Sequence, residues 1–289
     1  MDRRSFLTCL PGMFFLSLPI RGGAARQITG QAASGLRLGI VPFNSALALF
    51  RIHQPLRQHL EATLRVPVTL HSSVDHARFL HDTLAFAFDL VVISPHLAVL
   101  ALEAGFVPLC RYQKEMRIGL IVRRENQSSG IAGLRGRRIG VPDRLSIFAV
   151  GGGRWLDESG LAPYVLSLWP SHGAALAAVA TGNLDAALSG EEILRQIPAD
   201  LRNTLTFLPF AERIPHLMTL CRVALGEAQL ARIRAALLAF PATPAGAKFF
   251  RDTGYQGYLP VSERDLRIMR PHVERTRKLL ASPESESPE

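Results

Sequence analysis

Residues 88–105 read FDLVVISPHLAVLALEAG. The apolar run at 88–94 is typical of a strand buried on both faces, and it ends in Ser-Pro, a pair suited to the start of a helix. Small and apolar residues fill 96–104 at helical spacing, and Gly105 suits the residue that follows a helix. A buried strand leading directly into a helix is the unit of a parallel sheet covered by helices. The stretch therefore predicts an α/β fold.

The same alternation continues on both sides of this unit. Strands are predicted before it at 36–41 and 66–71, with a helix between them at 55–64. After it the pattern repeats with different contents, as strands at 138–141, 165–169 and 184–188 and helices at 152–159 and 172–181. Two α/β lobes thus follow one another without a low-complexity linker.

Two further strands, predicted at 118–123 and 216–223, are expected to connect the lobes. A chain that leaves the first lobe, builds the second and returns creates a cleft with two hinge strands, where small ligands bind. Two independent domains without a shared cleft are the alternative. The predicted division is an export signal at 1–26, a first lobe from 36–121 and 218–270, a second lobe at 122–217, and a helix end with a polar tail at 271–289.

The first residues, MDRRSFLTCLPGMFFLSLPIRGGAARQ, have the plan of a cleaved export signal. Arg3 and Arg4 precede an apolar stretch at 6–20, which is shorter than the ~20 residues of a spanning helix, and small residues follow at 22–25. The Arg3-Arg4 pair also resembles the twin-arginine export pattern. We expect removal of about 25 residues on export and a periplasmic location. An uncleaved N-terminal anchor is the alternative.

Composition bounds the class of protein. The chain has 289 residues, 48% of them hydrophobic and 20% charged, which is an ordinary globular composition. Its formal charge of +9 comes from scattered arginines, which favours a solvated basic surface over a nucleic-acid partner. No catalytic motif for acyl transfer, metal-dependent hydrolysis or nucleotide phosphate binding is present, and the few cysteines lack zinc-site spacing. We therefore expect no enzyme activity, no metal and no cofactor.

Residues 140–156 read GVPDRLSIFAVGGGRWL, a strand followed by a turn and a helix start. The unpaired backbone N–H groups and positive dipole end of a helix start can hold an anion. Ser146 supplies the one hydroxyl of this turn, and the apolar Ile147 and Phe148 follow it. The pattern predicts an anion cradle that relies on backbone amides and Ser146.

Three blocks in order, at 88–109, 133–161 and 171–188, resemble the phosphate, phosphite and phosphonate-binding proteins of ABC importers. The resemblance extends over about 36–250. It implies the type II periplasmic-binding-protein fold, in which two lobes joined by two hinge strands close on a ligand. It also implies a monomer that captures a small anionic ligand and presents it to a transporter permease.

The chain departs from that family where the ligand should bind. Relatives read Asp-Pro-x-Ser-Thr-Ser-Gly in the loop where this chain keeps only Ser146, and Ile147 and Phe148 replace two hydroxyl residues. Ser94-Pro95-His96 stands where the family has Gly-Pro-x-x-Tyr, whereas His172 matches the family's Ser-His block. Losing several charge-assisted hydrogen bonds should cost ~4 kcal/mol or more for a multiply charged oxyanion. A less hydrated ligand, or a smaller anion held by backbone amides, fits better.

These observations yield a set of candidate ligand-binding residues. Each also has a structural alternative, such as core packing for Phe43, helix capping for Ser94 and a surface imidazole for His96. For Arg144 and His216 a structural role is favoured. The predicted ligand-binding set is Phe43, Ser94, His96, Ser146, Ile147, Phe148 and His172.

Cys110 supports a second hypothesis. A branch of the resembled family senses arsenite through a cysteine, because thiolate suits soft elements. A sensor of the same fold would present its closed form to a membrane histidine kinase. A free cysteine is more often a small buried hydrophobe, and a disulfide between Cys110 and Cys221 is also compatible with the sequence.

Overall fold

The computed structural model describes residues 35–282, so the predicted export signal at 1–26 and residues 283–289 of the tail lie outside the described residues. The strands are β1 Leu36–Ile40, β2 Val68–His71, β3 Leu90–Ile93, β4 Phe106–Tyr112, β5 Glu115–Arg123, β6 Arg138–Val141, β7 Val165–Leu168, β8 Ala186–Gly190, β9 Leu205–Pro215, β10 Met218–Arg222 and β11 Tyr258–Leu259. The helices are α1 Ala46–Leu64, α2 His76–Leu84, α3 Pro95–Glu103, α4 Ile147–Glu158, α5 His172–Ala180, α6 Glu191–Gln196, α7 Ala199–Thr204, α8 Glu227–Ala239, α9 Pro244–Thr253 and α10 Glu263–Leu280.

The strands form two mixed sheets with helices between them in sequence. The first has the order β11-β4-β10-β3-β1-β2, and the second has the order β7-β6-β8-β5-β9. β1 is parallel to β2 and β3, and β6 is parallel to β7 and β8. Helices connect successive strands of these groups, as parallel pairing requires. The predicted α/β fold with two lobes is confirmed, and each sheet is the centre of one lobe.

The chain crosses between the sheets twice. It leaves the first sheet after Tyr112 and enters the second at Glu115, and it returns between Pro215 and Met218. The predicted boundary at 121/122 falls inside β5, which pairs along its length with β8 and β9 of the second sheet. The crossing segments are therefore 113–114 and 216–217 rather than two long hinge strands.

The apolar run that predicted the fold is β3. Its four residues are buried, because β1 and β10 flank it and helices cover its faces. α3 follows at once, with Ser94 as its N-cap and Pro95 in its first turn, as the sequence predicts.

α4 begins earlier than predicted. The sequence placed this helix at 152–159, but it starts at Ile147 because the Ser146 side chain caps it. The run Gly151-Gly152-Gly153 thus lies inside the helix. Added Cβ atoms there would lie 2.6 Å from Ile118 Cδ1 at Gly151 and 2.4 Å from Leu188 Cδ2 at Gly152, so the glycines let α4 pack closely on the second sheet.

α10 contacts both lobes. Arg277 Nη2 lies 2.6 Å from the Glu103 carboxylate at the end of α3, and Arg275 Nη1 lies 2.5 Å from the Asp157 carboxylate of α4. The predicted boundary at 270/271 falls inside this helix, at Pro271. α10 therefore helps to fix α3 and α4, which carry two sides of the site described next. None of the helices within the described part of the chain is both long and apolar enough to span a membrane.

Candidate ligand-binding site

A cavity of about 270 Å³ lies between the two lobes. The first lobe contributes Phe43, Asn44, His76, Ser94 and Tyr255, and the second contributes Met116, Pro142, Ser146, Ile147, Phe148, Ser171, His172, Gly173, Glu192, Ile193 and Ile197. His216 and Leu217 come from the returning crossing. Both lobes and one crossing thus line the same space.

The structure brings together Phe43, Ser94, Ser146, Ile147, Phe148 and His172 of the predicted set around this cavity. His96 is the exception, since it does not line the cavity. Their contact with a ligand stays a prediction.

Several helix starts face the cavity. Ser94, Ser146 and Ser171 are the N-caps of α3, α4 and α5, and His76 is the first residue of α2. The first N–H groups of a helix lack intrahelical acceptors, and the helix dipole adds about half a positive charge at this end. Helix starts of this kind can attract an anion without a charged side chain.

The cap serines differ in how their hydroxyls are used. Ser146 Oγ accepts the Ala149 N–H at 3.1 Å and donates to the Asp143 carbonyl at 2.9 Å. Ser94 makes no side-chain cap bond, although it is 3% exposed and lines the cavity. Ser94 is thus better placed than Ser146 to give its hydroxyl to a ligand, whereas Ser146 mainly fixes the start of α4.

His96 has a structural contact instead of a cavity position. Its Nε2 donates to the Leu145 carbonyl at 2.9 Å, and the side chain is fully buried. Burial lowers the pKa of His96 to about 3, so the ring is neutral near pH 7. Neither a ligand contact nor the alternative of a surface imidazole describes it, because the bond to Leu145 joins the start of α3 to the loop before α4.

A second bond between the lobes was missed by sequence reasoning. The backbone N–H and Nδ1 of His76 both lie 2.9 Å from Asp143 Oδ2, and Leu145 N–H donates to Asp143 Oδ1 at 2.7 Å. Burial alone would raise the pKa of Asp143, but the hydrogen bonds and charge of His76 outweigh it and lower this pKa to about 2. Asp143 therefore occupies the N-terminus of α2 as a carboxylate.

The two other cavity histidines are neutral. His172 Nδ1 lies 3.1 Å from Ser189 Oγ, and its ring meets Phe148 edge-on at 5.0 Å. His216 Nδ1 accepts the Leu217 N–H at 2.9 Å, which leaves Nε2 to carry the proton. Burial lowers the pKa of both histidines to about 3. They can offer neutral hydrogen bonds but no charge near pH 7.

Glu192, His216 and Tyr255 also form part of the wall. Sequence analysis did not propose Glu192 or Tyr255, and it favoured a structural role for His216. Glu192 Oε1 forms an ion pair with Lys114 Nζ at 2.7 Å, so a crossing residue neutralises the one carboxylate that lines the cavity. Tyr255 packs on His216 with 4.5 Å between ring centroids. The only available signal was position, because Lys114 and His216 lie where the chain crosses between the sheets.

Cys110 lies in β4, fully buried and opposite Thr219 of β10. It does not line the cavity. Burial raises the pKa of Cys110 to about 12, and that of Cys221 likewise to about 12. Both cysteines are free, and the residue opposite Cys221 on β4 is Val107, so the possible disulfide is absent. Among residues 35–282 no cluster of His, Cys, Asp and Glu suits a metal ion.

The profile of one protein family, "ABC transporter, phosphonate, periplasmic substrate-binding protein", matches residues 38–266. A comparison with curated proteins finds no match. The chain is similar in structure to a Xanthomonas citri protein bound to ATP, with 15% identity, a TM-score of 0.72, and coverage of 87% of this chain and 100% of that one.

Two further solved structures are similar in fold. PhnD1 from Prochlorococcus marinus, in complex with methylphosphonate, is 15% identical with a TM-score of 0.71, covering 86% of this chain and 98% of that chain. A binding protein component of an ABC phosphonate transporter from Pseudomonas aeruginosa is 16% identical with a TM-score of 0.70, covering 87% of this chain and 90% of that chain. At these identities the likeness concerns the fold.

Proposed function

The chain belongs to the family of periplasmic substrate-binding proteins of phosphonate ABC transporters, and from this membership we propose that it captures a small phosphonate-like oxyanion between its lobes. It then delivers the ligand to a transporter permease. The proposed location is the periplasm, reached through the export signal at 1–26. The protein would act as a monomer, with a small-molecule ligand and the permease as its partners.

The convergence of helix starts on one cavity carries this proposal. The first-turn amides of α4 and α5 face the same space as Ser94, from the other lobe. Backbone N–H groups of this kind hold an oxyanion without side-chain cations. His216 Nε2 adds a neutral donor from the returning crossing.

Contacts between the lobes give the proposed capture a mechanism. His96 bonds to Leu145, and His76 bonds to Asp143, and both acceptors lie in the loop before α4. A ligand that touches Ser94 on one lobe and the α4 start on the other favours the same closed arrangement. The two short crossings, 113–114 and 216–217, are the places where opening would change the backbone.

The alternative of an arsenite sensor gains no support from Cys110. The Cys110 thiol is fully buried and lies outside the cavity, and burial raises its pKa to about 12. It is therefore a poor ligand for arsenite, because the thiolate is the binding form. The proposal therefore stays with oxyanion capture.

Calorimetric titration with methylphosphonate, phosphite and phosphate tests the proposal. We expect saturable binding of at least one of them, and Ser94→Ala should weaken it by about 1–1.4 kcal/mol, or five- to tenfold, through loss of one hydroxyl donor. Cys110→Ser should leave the affinity unchanged, and the exposed Ser159→Ala is the matched serine control. Absence of binding heat and of thermal stabilisation with every oxyanion would refute the function.

A further inference from the structure

The cavity wall contains little positive charge to balance a ligand with two negative charges. Among the described residues that line it there is no lysine and no arginine, and its one carboxylate, Glu192, is already paired with Lys114. The histidines His172 and His216 are buried, and burial lowers the pKa of both, so they are neutral near pH 7. The third lining histidine, His76, is paired with the Asp143 carboxylate through Nδ1 at 2.9 Å. A bound anion would therefore be balanced mainly by helix starts and neutral donors.

The free helix starts balance at most about one and a half charges. Each supplies roughly half a positive charge, and the start of α2 is already occupied by the Asp143 carboxylate. The starts of α3, α4 and α5 remain. The second negative charge of a dianion would therefore be only about half balanced, and it would lie in the same loop region as the ionised Asp143.

One polar group points independently to a ligand. Ser94 is 3% exposed and lines the cavity, and its hydroxyl makes no bond to its own helix, unlike Ser146 and Ser171. A buried hydroxyl is normally hydrogen-bonded. The Ser94 hydroxyl is therefore available to an oxygen atom of a ligand head.

The rest of the cavity is apolar. Apolar side chains from both lobes and from the returning crossing line it. They are Phe43, Met116, Phe148, Ile193, Ile197 and Leu217. Phe148 stands where a hydroxyl residue was expected from the family resemblance, and its ring packs against His172 at 5.0 Å. A bare oxyanion would leave this side of a 270 Å³ cavity in contact with water, whereas a hydrocarbon substituent would cover it.

Resting on the proposed function, we infer that the cavity takes a tetrahedral oxyanion of single negative charge that carries a hydrocarbon substituent. Alkyl- and arylsulfonates have this chemistry, and so do phosphonate monoesters. The head accepts hydrogen bonds from Ser94 and the starts of α4 and α5, and the substituent lies against Phe148, Ile193 and Ile197. Inorganic sulfate and phosphate are disfavoured by their second charge and by the uncovered apolar wall.

Calorimetric titration of the purified protein with sulfate, methanesulfonate, butanesulfonate and benzenesulfonate tests this inference. Sulfate and methanesulfonate are close in size but differ by one charge, and we expect methanesulfonate to bind at least tenfold more tightly. Affinity should then rise roughly fourfold for each methylene up to butanesulfonate, the factor for burying one CH₂. The methyl ester of phenylphosphonate, compared with benzenesulfonate, shows which of the two head groups is preferred.

Ile197→Ala should flatten the dependence on substituent length, because it shortens the apolar wall. Leu168→Ala is the matched control, since Leu168 is 56% exposed on β7 and lies outside the cavity. If Ile197→Ala fails to fold, the titration of the unaltered protein with the sulfonate series still tests whether affinity rises with substituent length.

The outcomes separate the inference from the proposed function. Tighter binding of sulfate or phosphate than of every singly charged probe would overturn the inference and leave oxyanion capture intact. An affinity that does not grow with the substituent would also overturn it. Binding of none of the phosphorus or sulfur oxyanions would remove the proposed function itself.

Discussion

The starts of α3 and α5 read almost alike but are used in opposite ways. α3 begins Ser94-Pro95-His96 directly after β3. α5 begins Ser171-His172, with two residues between Ser171 and the end of β7. In α5 the serine caps its helix, accepting the Ala174 N–H at 3.1 Å, and the histidine lines the cavity. In α3 the serine lines the cavity without a cap bond, and the histidine is turned to Leu145.

One residue accounts for the difference. Pro95 occupies the first helical position of α3 and moves the histidine to the second, whereas His172 is itself the first residue of α5. Successive residues of a helix point about 100° apart, so the two imidazoles leave their helices in different directions. Two similar motifs on different lobes thus supply different groups to the cavity wall, a hydroxyl without a cap bond from α3 and an imidazole from α5.

The largest expected effect is a loss of stability at low pH, because His96 and His172 are both buried in the neutral form. His96 and His172 have pKa values lowered to about 3, as has His216, and the pKa of His53 is lowered to about 4. The unfolded chain binds these protons near pH 6.5, so stability is fully present above that pH and falls as the pH drops towards 4. Each histidine should contribute up to about 1.4 kcal/mol per pH unit in that window.

Thermal melting between pH 8 and pH 4.5 measures this loss. The pKa of Asp143 is lowered to about 2, so its protonation reduces stability only below about pH 4. This second loss of stability therefore lies outside the measured pH range. Replacing His172 by Gln should reduce the slope, whereas replacing the exposed His81 by Gln should not. A melting temperature that stays constant from pH 7 to pH 5 would contradict the buried neutral histidines.

Replacing the two histidines sharpens the contrast. His96→Ala removes the donor to the buried Leu145 carbonyl and leaves a void, so we expect a loss of about 2–4 kcal/mol in the free energy of unfolding. His172→Ala should instead weaken methylphosphonate binding by about 1 kcal/mol, because it removes a neutral group from the cavity wall. Urea unfolding and calorimetry measure the two effects. If His96→Ala changed binding alone, its structural role would be wrong.

For the two serines we expect the opposite pattern to the histidines, because the α5 serine stabilises the fold and the α3 serine does not. The expected changes in stability are the smallest of those considered. Ser171→Ala removes a helix cap and should lower the free energy of unfolding by about 1 kcal/mol. Ser94→Ala removes no cap and should change it by less than about 0.5 kcal/mol. Urea unfolding of both variants checks this order. Equal losses would mean that the two helix starts are used alike after all.

Much of the fold could be predicted from the sequence, since it rests on local patterns. The apolar run of β3, the Ser-Pro start of α3 and the alternation of strands and helices each depend on neighbouring residues, and the family resemblance follows from the same blocks. The start of α4 and the crossing before β5 were misplaced. A glycine run resembles a loop in the sequence, and a crossing of two residues leaves no compositional signal.

The sequence by itself determined the α/β class, the Ser-Pro start of α3 and six of the residues that line the cavity. Tertiary structure decided which of these groups face the ligand space. His96 is turned to Leu145, Asp143 fills the start of α2, Lys114 neutralises Glu192, and His216 arrives from a distant crossing. These outcomes depend on distances between residues far apart in the chain, and on burial, which sets the direction of each pKa. Neither quantity is contained in local spacing, so the charge and wall chemistry of the cavity emerged only when the two lobes were packed together.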